Sequence, residues 1–135
     1  MGSTATNGGL RLGFEHGQVV QEFGYGDDVD EQIRADIAAA TGQDMADEDF
    51  DDVIDAVVLW WRDGDGDLTD ALLDVCTTLD DGGFVWLFTP KTGRPGTVVH
   101  TEIEEAATTA GLHATSTVAI GPAWSGTRLG TRKGR

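Results

Sequence analysis

The chain has 135 residues and carries 24 acids against nine bases, a formal net charge of −15. That length fits one domain removing roughly 65–70% of its unfolded surface from water, so neither a disulfide nor a metal is needed to hold it together. The charge repels nucleic-acid backbones and anionic membranes over about a Debye length, which argues against direct binding to either and favours basic or cationic partners.

Met1–Gly9 is small and polar, without the charged-then-apolar pattern of a secretion signal, and is expected to be a disordered N-terminal tail. A single α/β domain is expected over 10–131, followed by a basic C-terminal tail at 132–135. "QVVQEFGY" (18–25) has the β-branched and aromatic content of a strand between Gly17 and Gly26. The period then changes: Val29, Ile33, Ile37 and Ala40 fall at helical spacing, Asp28 with Glu31 makes an acidic start signal, and Gly42 stops the helix. An acidic connector fills 43–52.

"VIDAVVLWW" (53–61) is apolar without alternation, as in a strand buried on both faces. "RDGDGD" (62–67) joins it to a helix over 68–79, whose stripe is Leu68, Ala71, Leu72, Val75, Cys76 and Leu79. Cys76 reads as a core thiol; as the only cysteine it forms no internal bridge, which points to a reducing, cytoplasmic setting. After a Gly82-Gly83 turn, "FVWLFT" (84–89) is a further strand. Thr101 and Glu104 form a capping box for a third helix closed by Gly111. "TSTVAI" and "SGTRLGT" then make an antiparallel hairpin around Gly121-Pro122. The longest apolar runs are too short to span a bilayer.

This order predicts a three-layer Rossmann-like α/β sandwich over a mostly parallel sheet of about five strands, ending in an antiparallel hairpin. Ligands of such sheets sit at the carboxyl ends of the strands. Three loops leave that edge: 24–28, 62–67 and 90–96. They supply the candidate ligand-binding residues Glu22, Gly24, Tyr25, Gly26, Asp63, Asp65, Lys91 and Arg94. Glu22 could serve as a base in the crevice or simply face solvent, and Lys91 and Arg94 could pair with an anion.

Asp63, Asp65 and Asp67 stand at positions 1, 3 and 5 of a calcium-type loop, but Leu68 occupies the glycine position and Asp74 the place of the final glutamate. The stretch therefore reads as a strand-to-helix turn with Asp67 as cap, and no metal site is expected. His16, His100 and His113 lie in separate segments, and no catalytic group is assigned. Trp60 and Trp61 point to opposite faces.

"VVQEFGYG" (19–26) resembles the first motif of class I S-adenosylmethionine-dependent methyltransferases, an apolar strand, an acid, then Gly-x-Gly. "FDDVIDAVVLW", "LDDGGFVWLFTP" and "EEAATTAGL" resemble that family's fourth strand, its turn and fifth strand, and the helix before its closing hairpin. The resemblance implies a cofactor crevice at Glu22, Gly24 and Gly26. It also implies two strands and a helix between 42 and 53, which ten residues cannot contain, and Asp28 replaces the third small residue of the motif. Asp44 and Asp47 are the only guesses for the acid that would hold the cofactor ribose. The pocket is thus incomplete, and no cofactor is expected, S-adenosylmethionine being the one the resemblance allows.

The stretches "GQVVQEFGYGDDVDE", "DAVVLWWRDGDGDLTDAL", "LFTPKTGRPG" and "WSGTRL" resemble, more specifically, a bacterial domain-of-unknown-function family, number 3052 in that series. Residues 1–82 hold 21 acids and three bases, whereas 83–135 hold three acids and six bases. The expectation is a non-catalytic binding or regulatory protein on a reduced methyltransferase-like core, its acidic half engaging a basic protein partner. Alternatives are a small-ligand domain or minimal S-adenosylmethionine-dependent transferase, and an acidic mimic of nucleic acid.

Overall fold

The computed structural model describes residues 12–77 and 79–131; the expected tails at 1–9 and 132–135 lie outside them. Strands β1 (Val20–Phe23), β2 (Ile54–Trp60), β3 (Leu79–Pro90), β4 (Leu112–Ile120) and β5 (Trp124–Thr131) form one five-stranded sheet in the order β1-β2-β3-β5-β4. Helices α1 (Glu31–Thr41), α2 (Leu68–Val75) and α3 (His100–Thr109) connect the first four strands. Among the described residues, no helix is long and apolar enough to cross a membrane.

The β1–β2 and β2–β3 pairings are parallel, and β3–β5 and β4–β5 are antiparallel. The expected mostly parallel sheet is therefore corrected to a mixed one. The closing hairpin inserts β5 between β3 and β4, so the single strand that opposes the others contributes both of its neighbours to the antiparallel count.

β2 is buried on both faces because helices cover both. Ile54, Val57, Leu59 and Trp61 pack with α2 and α3 through Leu68, Leu72 and Ile103. Ala56, Val58 and Trp60 pack on the other face with Ile33 and Ile37 of α1 and with Leu12 and Phe14. Trp60 and Trp61 thus separate to opposite faces, as strand alternation requires.

The helix boundaries differ from the sequence reading in three places. Asp30, not Asp28, caps α1, accepting from the Gln32 and Ile33 amides, while Gly42 closes the helix in the left-handed conformation. Asp67 caps α2 as expected, but α2 ends at Val75 because Leu79 already belongs to β3, paired with Ile54. α3 begins at His100 behind Val99, which offers no side-chain cap; the Thr101–Glu104 box does not form, and Glu104 lies 3.1 Å from the His100 ring instead.

The connector does more than link α1 to β2. Ala46 forms a parallel bridge with Gln21, its amide donating to the Val20 carbonyl and its carbonyl accepting from the Glu22 amide. The chain therefore passes along one side of β1 at Ala46 and returns on the other as β2. That reversal puts a topological switch point at the carboxyl ends of β1 and β2, where open α/β sheets form their crevice.

Candidate functional site

Glu22 lies on the α1 face of β1, only 7% exposed. It accepts from Arg34 at 2.7 and 2.8 Å in a two-pronged pair, and from the Trp60 indole at 2.8 Å. Neither the free base nor the solvent-facing acid of the sequence reading is realised. A buried carboxylate needs a cation and donors, and Arg34, twelve residues on, supplies them from α1. Glu22 in turn holds the Arg34 guanidinium more firmly protonated than usual.

Tyr25 is exposed; its ring lies 4.6 Å beneath the Arg34 guanidinium, and its hydroxyl donates to Glu31 at 2.9 Å. That bond to Glu31 raises the phenol pKa. Glu31 is lowered mainly by its hydrogen bond from Arg34.

Gly24 has φ +80°, and a Cβ on it would stand 2.2 Å from the Trp60 carbonyl oxygen. Glycine is needed here because β1 and β2 converge too closely for a side chain. Its amide donates to Glu48 at 3.0 Å, and its carbonyl accepts from Arg62 at 2.8 Å. Of the connector acids, then, it is Glu48 that turns toward the Gly-x-Gly segment, not Asp44 or Asp47. Asp47 instead gives its carbonyl to the Gln21 amide nitrogen at 2.9 Å.

Arg62, the first residue past the buried strand end, closes the crevice. Besides Gly24 it donates to the Trp60 carbonyl at 3.2 Å and to both carboxylate oxygens of Asp28, 3.0 Å from its Nε to one of them. Its guanidinium stands 5.6 Å from the Trp124 ring, whose indole donates to the Asp28 carbonyl. Hydrogen bonding to Arg62 lowers the Asp28 pKa, and the same bond raises that of Arg62.

The three expected loops do come together. Asp65 accepts from the Arg62 amide at 3.0 Å, and the Asp63 amide donates to the Gly96 carbonyl at 2.8 Å. The Asp63–Asp67 segment is a turn with Gly64 and Gly66 at positive φ. Lys91 and Arg94 belong to the loop after β3, where the Arg94 amide bonds the Lys91 carbonyl. Cys76 is half-buried, and that burial raises its thiol pKa.

Arg34, Glu48 and Arg62 are the site residues that motif reading passes over. The available signal was scarcity: Arg34 and Arg62 are the only bases between residues 12 and 90, so any buried acid there had to find one of them.

At the Gly-x-Gly segment, where the resemblance places S-adenosylmethionine, the amide and carbonyl of Gly24 are both engaged by the chain's own side chains, and a Cβ on Gly26 would lie 3.3 Å from the Arg62 guanidinium. Gly24 and Trp60 also line a cavity of about 420 Å³ on the α2 face, together with Phe23, Glu48, Trp61 and Asp65 among others.

A family model described as "Protein of unknown function (DUF3052)" matches residues 9–133. The uncharacterised protein Rv2239c of Mycobacterium tuberculosis is 51% identical over 131 residues, covering 97% of this chain and 82% of its own length. Among solved structures, the pyocyanin biosynthetic protein PhzM superposes with a TM-score of 0.70 at 12% identity. The match covers 94% of this chain but only 54% of that protein, so the chain spans about half its length. A SAM-dependent methyltransferase from Aquifex aeolicus superposes with a TM-score of 0.60 at 12% identity, covering 96% and 93% of the two chains. These likenesses establish a methyltransferase-like Rossmann core and nothing beyond the fold.

Proposed function

Since the chain belongs to the DUF3052 family of proteins of unknown function, we propose from its site that it is a non-catalytic binding protein on a methyltransferase-like core, whose acidic side engages a basic protein partner. The observation that carries this reading is Arg62, whose guanidinium sits across Gly24, Trp60 and Asp28 where the fold would otherwise seat a ligand. Glu22, the acid that the motif places in the crevice, is committed to Arg34 and Trp60.

The partner surface is the connector beside β1. Asp44, Asp47, Glu48, Asp49, Asp51 and Asp52 are all exposed, with Phe50 (37%) and Val53 (61%) exposed beside them as apolar contacts. Such a strip favours a basic surface over long range and in a salt-dependent way. Immobilised protein should retain a basic protein whose recovery falls steeply between about 0.05 and 0.3 M salt, as screening predicts. Retention that ignores salt, or none, would overturn the electrostatic part. Competition by DNA for the same partner would identify the strip as a mimic of nucleic acid.

A second reading is a small-ligand domain or minimal S-adenosylmethionine-dependent transferase. The cavity between Glu48, Trp61 and Asp65 favours it, because acids beside an indole suit a cationic ligand. Calorimetric titration with S-adenosylmethionine and S-adenosylhomocysteine separates the two. No heat is expected; one-to-one binding at micromolar strength, about −8 kcal/mol, would put the transferase reading first.

A further inference from the structure

The sheet face that carries α2 and α3 is apolar through Leu87 of β3 and Leu129 of β5. One step further toward the carboxyl end of β3 the apolar face stops. Thr89 lies beside Ser125, and Thr127 beside Thr117, by strand register. These four hydroxyl residues line one wall of a cavity of about 400 Å³, which the loop after β3 and the start of α3 close on the other side.

Thr89 and Thr127 are 3% and 2% exposed. No hydrogen bond from either hydroxyl occurs among the described residues, and both residues line the cavity, so their oxygens open into it rather than lying sealed in the core. Side chains this deep whose hydroxyls have no internal partner are available to bond a group held in the cavity. The opposite wall brings a second set of donors. α3 starts behind Val99 without a side-chain cap; the amide of His100, which lines the cavity, has no acceptor among the described residues, nor has that of Thr101 one residue further into the helix. Free amides at a helix start, with the positive end of its dipole, bind oxyanions.

The absence of acid from the lining makes the choice of ligand. In a chain with 24 carboxylates, the cavity is lined by threonines, Ser125, Pro90, Val98, Val99, His100 and Ile103, and by no Asp or Glu. The loop that covers it also carries Lys91 and Arg94. We propose that this cavity, between the β3–β5–β4 hydroxyls and the uncapped start of α3, binds the oxyanion of a small phosphate- or carboxylate-bearing molecule. The α3 amides and the hydroxyls of Thr89 and Thr127 donate to the anion, and Val98, Val99 and Ile103 flank the rest of the ligand. The site is independent of the β1–β2 crevice and of the acidic connector.

Amide NMR spectra of the whole chain, titrated with inorganic phosphate, with acetate, and with sodium chloride at matched ionic strength, test this. Saturable shifts centred on the His100 and Thr101 amides are expected with an oxyanion and not with chloride. Thr127→Val and Thr89→Val, which keep side-chain shape, should each weaken that binding by about tenfold, the loss of one hydrogen bond to a charged group. Ser125→Ala serves in place of either variant should it fail to fold. Preference for phosphate or for acetate identifies which oxyanion the site takes. Shifts that follow ionic strength equally with chloride, or affinities unchanged in the threonine variants, overturn the proposal.

Discussion

The carboxyl edge of the sheet has two ends, and they are built on opposite terms. At the β1–β2 end, the groups of the first motif and its turn are spoken for: Glu22 by Arg34 and Trp60, Gly24 by Glu48 and Arg62, Asp28 by Arg62. At the β3–β5 end, Thr89 and Thr127 are as deeply placed as Glu22, yet their hydroxyls have no partner among the described residues. The sequence resemblance draws attention to the first end, because that is where the Gly-x-Gly segment lies. The physical vacancy of donors is at the second. A motif can draw the eye to one end of a sheet while the chain's own side chains already occupy the backbone groups the motif offers there.

Substitution should separate the two ends by what it costs. Arg34→Ala leaves Glu22 buried without its cation and should destabilise by about 3–5 kcal/mol, read from denaturant unfolding. Gly24→Ala forces a Cβ against the Trp60 carbonyl at a positive φ; a loss of about 2–4 kcal/mol is expected from strain and backbone shift. Any side chain at Gly24 therefore tests folding before it tests ligand binding. Trp60→Phe removes the indole donor to Glu22 and should cost about 1.5–3 kcal/mol, the value of a hydrogen bond to a charged group.

Arg62→Ala is the variant that sharpens the comparison most. Its partner Asp28 is more than half exposed, so the change should cost no more than about 1 kcal/mol while opening the crevice. The Arg62–Asp28 pair also carries a pH signature. Arg62 depresses the Asp28 pKa in the folded state. Its contribution is therefore complete above the unfolded aspartate value of about 3.9 and is lost as pH falls through the lower folded value. Carboxyl chemical shifts of Asp28, followed in the native protein and in Arg62→Ala, should show the midpoint rise in the variant. Thr127→Val should move stability least, within about 0.5 kcal/mol, because the hydroxyl it removes has no internal partner to abandon. A large loss there would mean the hydroxyl is structural, and the contrast between the two ends would collapse.

Much of this architecture was legible from residue order. The apolar run of β2, the glycine stop after α1, the Asp67 cap and the closing hairpin each rest on local spacing, and each appears where local spacing put it. The helix starts were less legible. Asp28 is as good a cap as Asp30 by chemistry; in the structure its carboxylate pairs with Arg62, thirty-four residues away, and the helix begins behind Asp30. The Thr101–Glu104 pattern failed because the chain turns into helix two residues early, at Val99. The three loops of the candidate site were identified correctly as neighbours, since topology alone brings them to one edge. Their internal bonding was not, because the ion pairs link residues 12 and 34 positions apart and the Gly24 amide finds Glu48 from 24 positions away. The hydroxyl wall was invisible for a similar reason. Thr89, Thr117, Ser125 and Thr127 come from three strands, and only the β3–β5–β4 register makes them one surface.

Sheet order also leaves β4 at the rim, nine residues with no Asp, Glu, Lys or Arg, mostly exposed, and paired only through β5 among the described residues. Its outer row of amides and carbonyls is the kind of template onto which another chain can add. Molecules bearing −15 each repel one another at neutral pH. Acidification weakens that repulsion by protonating the carboxylates, and leaves the rim untouched. Any pairing through the rim is thereby tied to the opposite side of the molecule: the acids beside β1 supply much of the charge that opposes it at the far edge of the same sheet.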